Sequence, residues 1–398
     1  ASMAEFHFSV RPKVWIGNDS LLRLPLLATE YAGNGAARAL LIADPLLYET
    51  KVIDRVKGLL EDRNVQVLVF DEIPDRATSK AADDALRLTR GSRSPLIIAL
   101  GGLKTMMIAR ATAYAAGSPS GGAGAKVACA DIDSILEGKF AASAPIGLIE
   151  IPTSLRHPFM TEDCVVLTDG RDRRARLVRL PSASPSAVLI DPALTASLSP
   201  KLAASCVIDG LMGAVEGYVS SRSSFMSDML LERAVTTLSG ALDALIARPE
   251  DPQAKADAWR GSFLAALGQG MSSAGIGTAV SIAVNARFAV PKASLAAILL
   301  PYSMESAAKS RLEKIAALCP LLGEDATGLS AADAASKSVE WLRTRLGLLR
   351  IPSRLKDFDL SLDRLVDTAR DARELDFVNY LPRAVSVDDI FDFVKMAF

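Results

Sequence analysis

Histidine is nearly missing from this chain: there are two in 398 residues, His7 and His157. A site built from several imidazoles is therefore excluded, whatever the fold. Cysteine is scarce too. Cys129, Cys164, Cys206 and Cys319 stand far apart, with no Cys-x-x-Cys spacing, which suits reduced thiols in a cytoplasm. Net charge is also almost absent, 45 Lys and Arg against 46 Asp and Glu. With both signs dispersed, there is no electrostatic footprint for nucleic acid or an anionic membrane. No unbroken apolar stretch reaches transmembrane length, and "ASMAEFHFSV" at the start lacks the basic-then-apolar layout of a signal peptide. These absences point to a cytoplasmic protein with neither nucleic acid nor membrane as partner.

What is present is apolar. Half of the residues are hydrophobic, and the length is enough for two domains and a large core. "ALLIAD" (39–44), "VQVLVF" (65–70), "PLIIAL" (95–100) and "IGLIEI" (146–151) are near-continuous apolar runs of strand length. Such runs suit strands covered on both faces, as in a parallel sheet. Helical patterns at 46–62, 77–91 and 104–116 alternate with them, which is βαβ order with right-handed crossovers. "AAGSPSGGAGAK" (115–126) reads as an exposed loop; Ala125 before Lys126 breaks the Walker spacing. After "SAVLIDP" (186–192) the pattern turns helical, over 201–220, 225–247, 253–272, 294–308, 331–346 and 387–396. The spacing predicts an α/β domain over 1–190 and an all-helical domain over 191–398, with ligands expected at a cleft between them.

Within "CVIDGLMGAVEGYVS" (206–220), Asp209 and Glu216 interrupt an otherwise apolar helix. Carboxylates are seldom fully buried without a partner. Gly210 and Gly213 also sit inside the helix, where each costs up to about 1 kcal/mol relative to Ala.

The order of several strings carries a resemblance. "ALLIADP", "LIIALGGLKTMMIARATA", "IEIPTS", "AVLIDPALTASLSPKLAASCVIDGLMGAVEGYVS", "FAVPKASLAAILLP" and the closing "LPRAVSVDDIFDFVKMAF" follow one another. Nearly end to end, the chain resembles the iron-dependent (group III) alcohol dehydrogenases, relatives of glycerol dehydrogenase and dehydroquinate synthase. The resemblance implies an N-terminal dinucleotide-binding-type α/β domain with a parallel sheet, then an all-α domain. It also implies NAD(P) on a Gly-Gly-Gly-Ser turn, a Thr-Gly-Ser loop closing over it, and iron or zinc held by one Asp and three His.

Carried over position by position, the ligand pattern is broken. Asp209 matches the acidic ligand, but Gly213, Thr278 and Lys292 stand where the resemblance implies imidazoles. One carboxylate with a Thr does not hold a catalytic ion, and an ammonium at the fourth position repels one. On the cofactor side Gly101 and Gly102 remain, with Leu103 for the third glycine, Lys104 for the Ser and Met107 for an Asp. The later loop reads "TSLRHPFM" (153–160) and keeps Thr153 and Ser154, while Pro158 replaces a glycine. Asp44 survives where an acid bonds an adenosine ribose, or it caps the helix after it. Gly101–Gly102 serves a cofactor or is a tight βα turn. Lys104, Arg156 and His157 converge on an anion or lie solvated on a loop.

Two expectations follow. The first is a member that has lost metal-dependent NAD(P) alcohol or aldehyde redox activity and serves a binding or structural role, with no cofactor, or NAD(P) held only weakly. The alternative is a metal-independent NAD(P)-dependent oxidoreductase on a small alcohol or aldehyde, with Lys292 as proton donor beside Asp209. In either case Lys292 pairs with Asp209 in place of the ion, or reaches solvent while Asp209 bonds Thr278 or water. The expected partners are a second copy, joined partly through N-terminal strands such as "FHFSV", and an unknown protein or small anionic ligand.

Overall fold

The computed structural model describes residues 9–32, 38–119, 131–140 and 143–398. His7, Cys129, most of "FHFSV" and most of the 115–126 loop lie outside the described residues. Among the described residues two compact units are present, Arg11–Leu198 and Ser199–Phe398.

In the α/β unit, β1 (Lys13–Ile16), α1 (Leu24–Tyr31), β2 (Arg38–Ala43), α2 (Val52–Glu61), β3 (Gln66–Phe70), α3 (Ser79–Ser92), β4 (Leu96–Gly101) and α4 (Leu103–Ala116) come first. There follow the two-residue β5 (Ser118–Pro119), α5 (Ile132–Leu136), the two-residue β6 (Ser143–Ala144), β7 (Gly147–Pro152), β8 (Cys164–Thr168), β9 (Ala175–Arg179) and β10 (Ala187–Ile190). Six strands form one sheet in the order β1-β10-β7-β4-β2-β3, every pair parallel. The apolar runs are its centre: Leu40, Leu41, Ile42, Ile97, Ile98 and Ile149 are fully buried. Helices on the faces remove both sides of such strands from water, so no alternation is needed. The edge strand β1 and the antiparallel β8–β9 hairpin add to what the apolar runs predict.

The helical unit holds α6 (Pro200–Val219), α7 (Phe225–Ala247), α8 (Pro252–Met271), α9 (Ile276–Phe288), α10 (Lys292–Leu321), α11 (Ala331–Leu348), α12 (Leu362–Arg373) and α13 (Val387–Ala397). By length and composition α6 could cross a membrane, but 94% of its apolar window is buried within the protein, as a core helix requires. Ser199 caps it by accepting from Leu202 N–H, and Pro200 takes its first position. The run expected at 294–308 is the first part of α10, which extends to Leu321 through a break at Arg311 (φ −135°, ψ 45°). α9 is buried on nearly every side, so its sequence has no polar face to mark the helical period.

Candidate functional site

Two polar constellations stand out, one in each unit. In the helical unit Asp209 and Glu216 lie seven residues apart on α6 and so share a face. Lys292 is the first residue of α10, preceded by Pro291. A cation at a helix N-terminus opposes the macrodipole, and here it is answered by an anion. Lys292 Nζ donates to Asp209 Oδ1 at 2.6 Å, with only 10% and 5% of the two side chains exposed. The pair joins α6 to the start of α10. Lys292 therefore does not reach for solvent, and Asp209 does not depend on Thr278.

Thr278 is committed elsewhere. Its hydroxyl donates to Glu216 Oε2 at 2.6 Å, and Ser303 Oγ donates to Oε1 at 3.0 Å. The backbone N–H groups of Gly275 and Gly277 donate to the same carboxylate at 2.9 and 2.6 Å. Glu216 is thus the anion capping α9, whose first N–H groups have no partner within the helix. Gly275 is needed for this approach: a Cβ there would stand 2.7 Å from the Glu216 carboxyl carbon. Burial pushes the Glu216 carboxyl above its usual range, against the opposing pull of these donors.

The four positions that the resemblance gives to metal ligands therefore hold a paired carboxylate, a glycine, a hydroxyl turned to Glu216 and an ammonium. Among the described residues no group of three or more His, Cys, Asp and Glu is arranged to hold a metal ion. This donor set does not fit a divalent iron, which needs ligands that are deprotonated and free to coordinate.

In the α/β unit the C-terminal ends of β2, β4 and β7 meet. Asp44 N–H donates to Leu100 O at 2.9 Å, and Thr153 N–H to Gly101 O at 2.8 Å. Gly102 is the N-cap of α4. A Cβ on Gly101 would lie 2.5 Å from Thr105 Oγ1 and 3.2 Å from the Asp44 Cβ, so the turn must be glycine. Gly102 has room above it, the nearest group being Ser154 Oγ at 3.9 Å from such a Cβ. Thr105, in the first turn of α4, is fully buried, and its hydroxyl has no hydrogen-bond partner. A glycine turn feeding a helix N-terminus at the C-terminal edge of a parallel sheet is where phosphates are held. These residues fit a dinucleotide pyrophosphate. Asp44 does cap: its Oδ1 accepts from Leu46 N–H at 3.1 Å, while Oδ2 lies 3.4 Å from Lys104 Nζ.

Lys104 goes to Asp44, and Arg156 and His157 are buried rather than solvated. His157 belongs to a network that the sequence reading missed. Arg110 on α4 donates through Nε to Glu150 Oε1 at 2.7 Å, and His157 Nε2 lies 2.6 Å from Glu150 Oε2. Arg110 Nη1 also donates to the carbonyls of Phe159 and Glu162 at 2.9 and 2.8 Å. The network ties the 153–162 segment to α4 and β7. Burial pushes the Glu150 carboxyl up, but the Arg110 and His157 side chains hold it down at about 2. The same burial lowers the His157 imidazole, against the opposing pull of the Glu150 carboxylate. The signal was one charge in each apolar run, Arg110 in "MMIARATAYAA" and Glu150 in "IGLIEI".

Comparison with known proteins bears on both constellations. Residues 12–192 match the family described as iron-containing alcohol dehydrogenase, and residues 203–398 match the C-terminal part of the Fe-containing alcohol dehydrogenase family. Long-chain-alcohol dehydrogenase 1 of Geobacillus thermodenitrificans (strain NG80-2) is 26% identical over 351 residues, 88% of this chain and 86% of that one. A crystal structure of 1,3-propanediol oxidoreductase superposes with a TM-score of 0.87 at 21% identity, over 99% of this chain and 100% of its own. Sulfoacetaldehyde reductase from Bifidobacterium kashiwanohense, in complex with NAD+, gives 0.82 at 17% identity over 99% of both chains. These findings correct the expectation of a chain without a cofactor. The family is named for its iron, and a relative of the same fold is crystallised with NAD+. The physical reason lies in the turn: Leu103 and Lys104 leave the Gly101–Gly102 cradle and the orphaned Thr105 hydroxyl in place.

Proposed function

The chain belongs to the iron-containing alcohol dehydrogenase family, and from that premise we propose that it is a metal-independent member, a nicotinamide-dinucleotide-linked oxidoreductase acting on a small alcohol or aldehyde. The observation that carries this reading is the buried contact of 2.6 Å between Lys292 Nζ and Asp209 Oδ1. An ammonium stands at one of the four positions that the resemblance gives to metal ligands, so the positive charge that would face the substrate oxygen comes from a side chain. A bound dinucleotide supplies or accepts the hydride; Asp44, Gly101, Gly102, Thr105, Thr153 and Ser154 are the residues that would hold it.

The rest falls to Lys292 and Asp209. As hydride reaches an aldehyde carbon, negative charge grows on the oxygen, and a positioned donor stabilises it. Lys292 Nζ has three protons; Asp209 takes one in a hydrogen bond and fixes the direction of the others. Lys292 gives a proton to the forming alkoxide as general acid, and the Asp209 carboxylate favours its reprotonation from solvent. In the oxidative direction Lys292 first gives one proton to solvent, and the resulting neutral amine takes the alcohol proton as hydride leaves the carbon. The reading as a non-catalytic scaffold rested on joint loss of metal and cofactor. With the cofactor expectation corrected, only the metal side of that argument stands.

The test is NAD(P)H oxidation by small aldehydes in the presence of a strong chelator. Wild type is expected to turn over, and Lys292→Ala to fall at least about 10²-fold in kcat, the scale of a lost general acid. No turnover by wild type, with dinucleotide bound, would return the chain to the scaffold reading. Turnover that chelator abolishes would reject metal independence.

A further inference from the structure

We propose that Lys104 sets the dinucleotide preference of the α/β unit: by neutralising Asp44 it admits a 2′-phosphate on the adenosine ribose, so that NADP(H) is accepted alongside NAD(H). This rests on the dinucleotide reading above and names the cofactor class of that site.

Asp44 directly follows β2, against the glycine turn and at the edge of the sheet where dinucleotides bind. An acid at that place normally accepts from the ribose 2′-hydroxyl and repels a phosphate there, whereas a nearby cation accommodates the phosphate. In this chain both kinds of group are present at once. One Asp44 oxygen is taken by Leu46 N–H at 3.1 Å, and the other faces the Lys104 ammonium at 3.4 Å. The carboxylate is thus partly spent on its own chain, and its charge is balanced. The side chains are 13% and 29% exposed, so solvent screening of the pair is incomplete yet a ligand can still reach the ammonium.

The position of Lys104 adds to this. It is the second residue of α4, where the helix dipole disfavours a cation and favours an anion. A cation is stable there when it meets negative charge. Asp44 supplies one such charge, and a 2′-phosphate beside Asp44 would supply another. An ammonium within 3.4 Å of the acid reaches the same ribose substituents that the acid reaches.

Calorimetric titration of the full chain with NADH and with NADPH tests this. Wild type is expected to bind the two within about threefold of each other, and in both Lys104→Ala and Lys104→Gln the NADPH-to-NADH affinity ratio is expected to fall at least about tenfold. Lys104→Gln keeps the length of the stem and removes only the charge, so agreement of the two variants assigns the effect to the ammonium. A ratio that stays within about twofold in both variants would overturn the proposal and place Lys104 on the phosphates common to both cofactors. Wild type that binds NADPH at least about tenfold more weakly than NADH would also overturn it. Failure of wild type to bind either would instead remove the dinucleotide reading itself, and this proposal with it.

Discussion

Lys292→Ala is expected to lower the stability of the folded protein by about 3–5 kcal/mol, the cost of leaving one partner of a buried ion pair unpaired. Asp209 is 3% exposed, and Lys292 Nζ is its hydrogen-bond partner from another helix. Truncating the lysine leaves a carboxylate in an apolar helix face, where it must stay charged without compensation or take up a proton. The loss is therefore much larger than for exposed ion pairs such as Lys13–Glu30, with 64% and 46% of the side chains accessible, for which about 0–1 kcal/mol is usual. The double variant Asp209→Asn, Lys292→Met removes both charges and keeps most of the volume, so it should recover much of the loss. Urea denaturation of the three variants measures this. A single-variant loss under about 1 kcal/mol would show that the pair does not link α6 to α10.

The second large effect is expected at Arg110. Arg110→Met leaves Glu150 charged and fully buried, at a cost of about 3–5 kcal/mol at neutral pH, and Glu150→Gln added to it should restore much of that. The pH dependence distinguishes this from simple loss of packing. In wild type the folded-state pKa of Glu150 is depressed to about 2 from 4.5, so its contribution is present above the unfolded value and is lost as pH falls towards 2. His157 is also depressed from 6.5 and contributes in the same sense: present above 6.5, lost as pH falls. In Arg110→Met the Glu150 carboxyl rises instead, because burial is no longer opposed by the guanidinium. The deficit should therefore be largest above the raised carboxyl pKa of the variant and shrink as pH falls from there towards 2, where the carboxyl is protonated in both proteins. A deficit independent of pH would assign it to packing alone.

The sequence made the fold legible where an element carries its own period or lies between two faces. β2, β4 and β7 are near-continuous apolar runs, and α7 is bounded by a Ser224 cap and the "ARPEDPQ" break. It said less about α9, which has no polar face, and about the β8–β9 hairpin, whose strands are five residues each and of which β9 is only partly buried. At the candidate site, Asp209, Lys292 and Thr278 were found by position in a resemblance, and the contact of Asp209 with Lys292 follows from charge alone: a buried carboxylate needs a cation. The partner of Thr278 was not legible, because Glu216 reaches it across 62 residues of chain. The Arg110–Glu150–His157 network was hidden for the same reason, spanning 40 residues between Arg110 and Glu150. Only the burial of each charge in an apolar run hinted that it had a partner.

In the function proposed above, Lys292 supplies the positive charge at the positions that the resemblance gives to metal ligands. Elemental analysis of the protein purified after growth in excess iron and zinc tests it most directly. Far less than one ion per chain is expected, with no difference between wild type and Asp209→Ala. About one ion per chain in wild type, lost in Asp209→Ala, would contradict it.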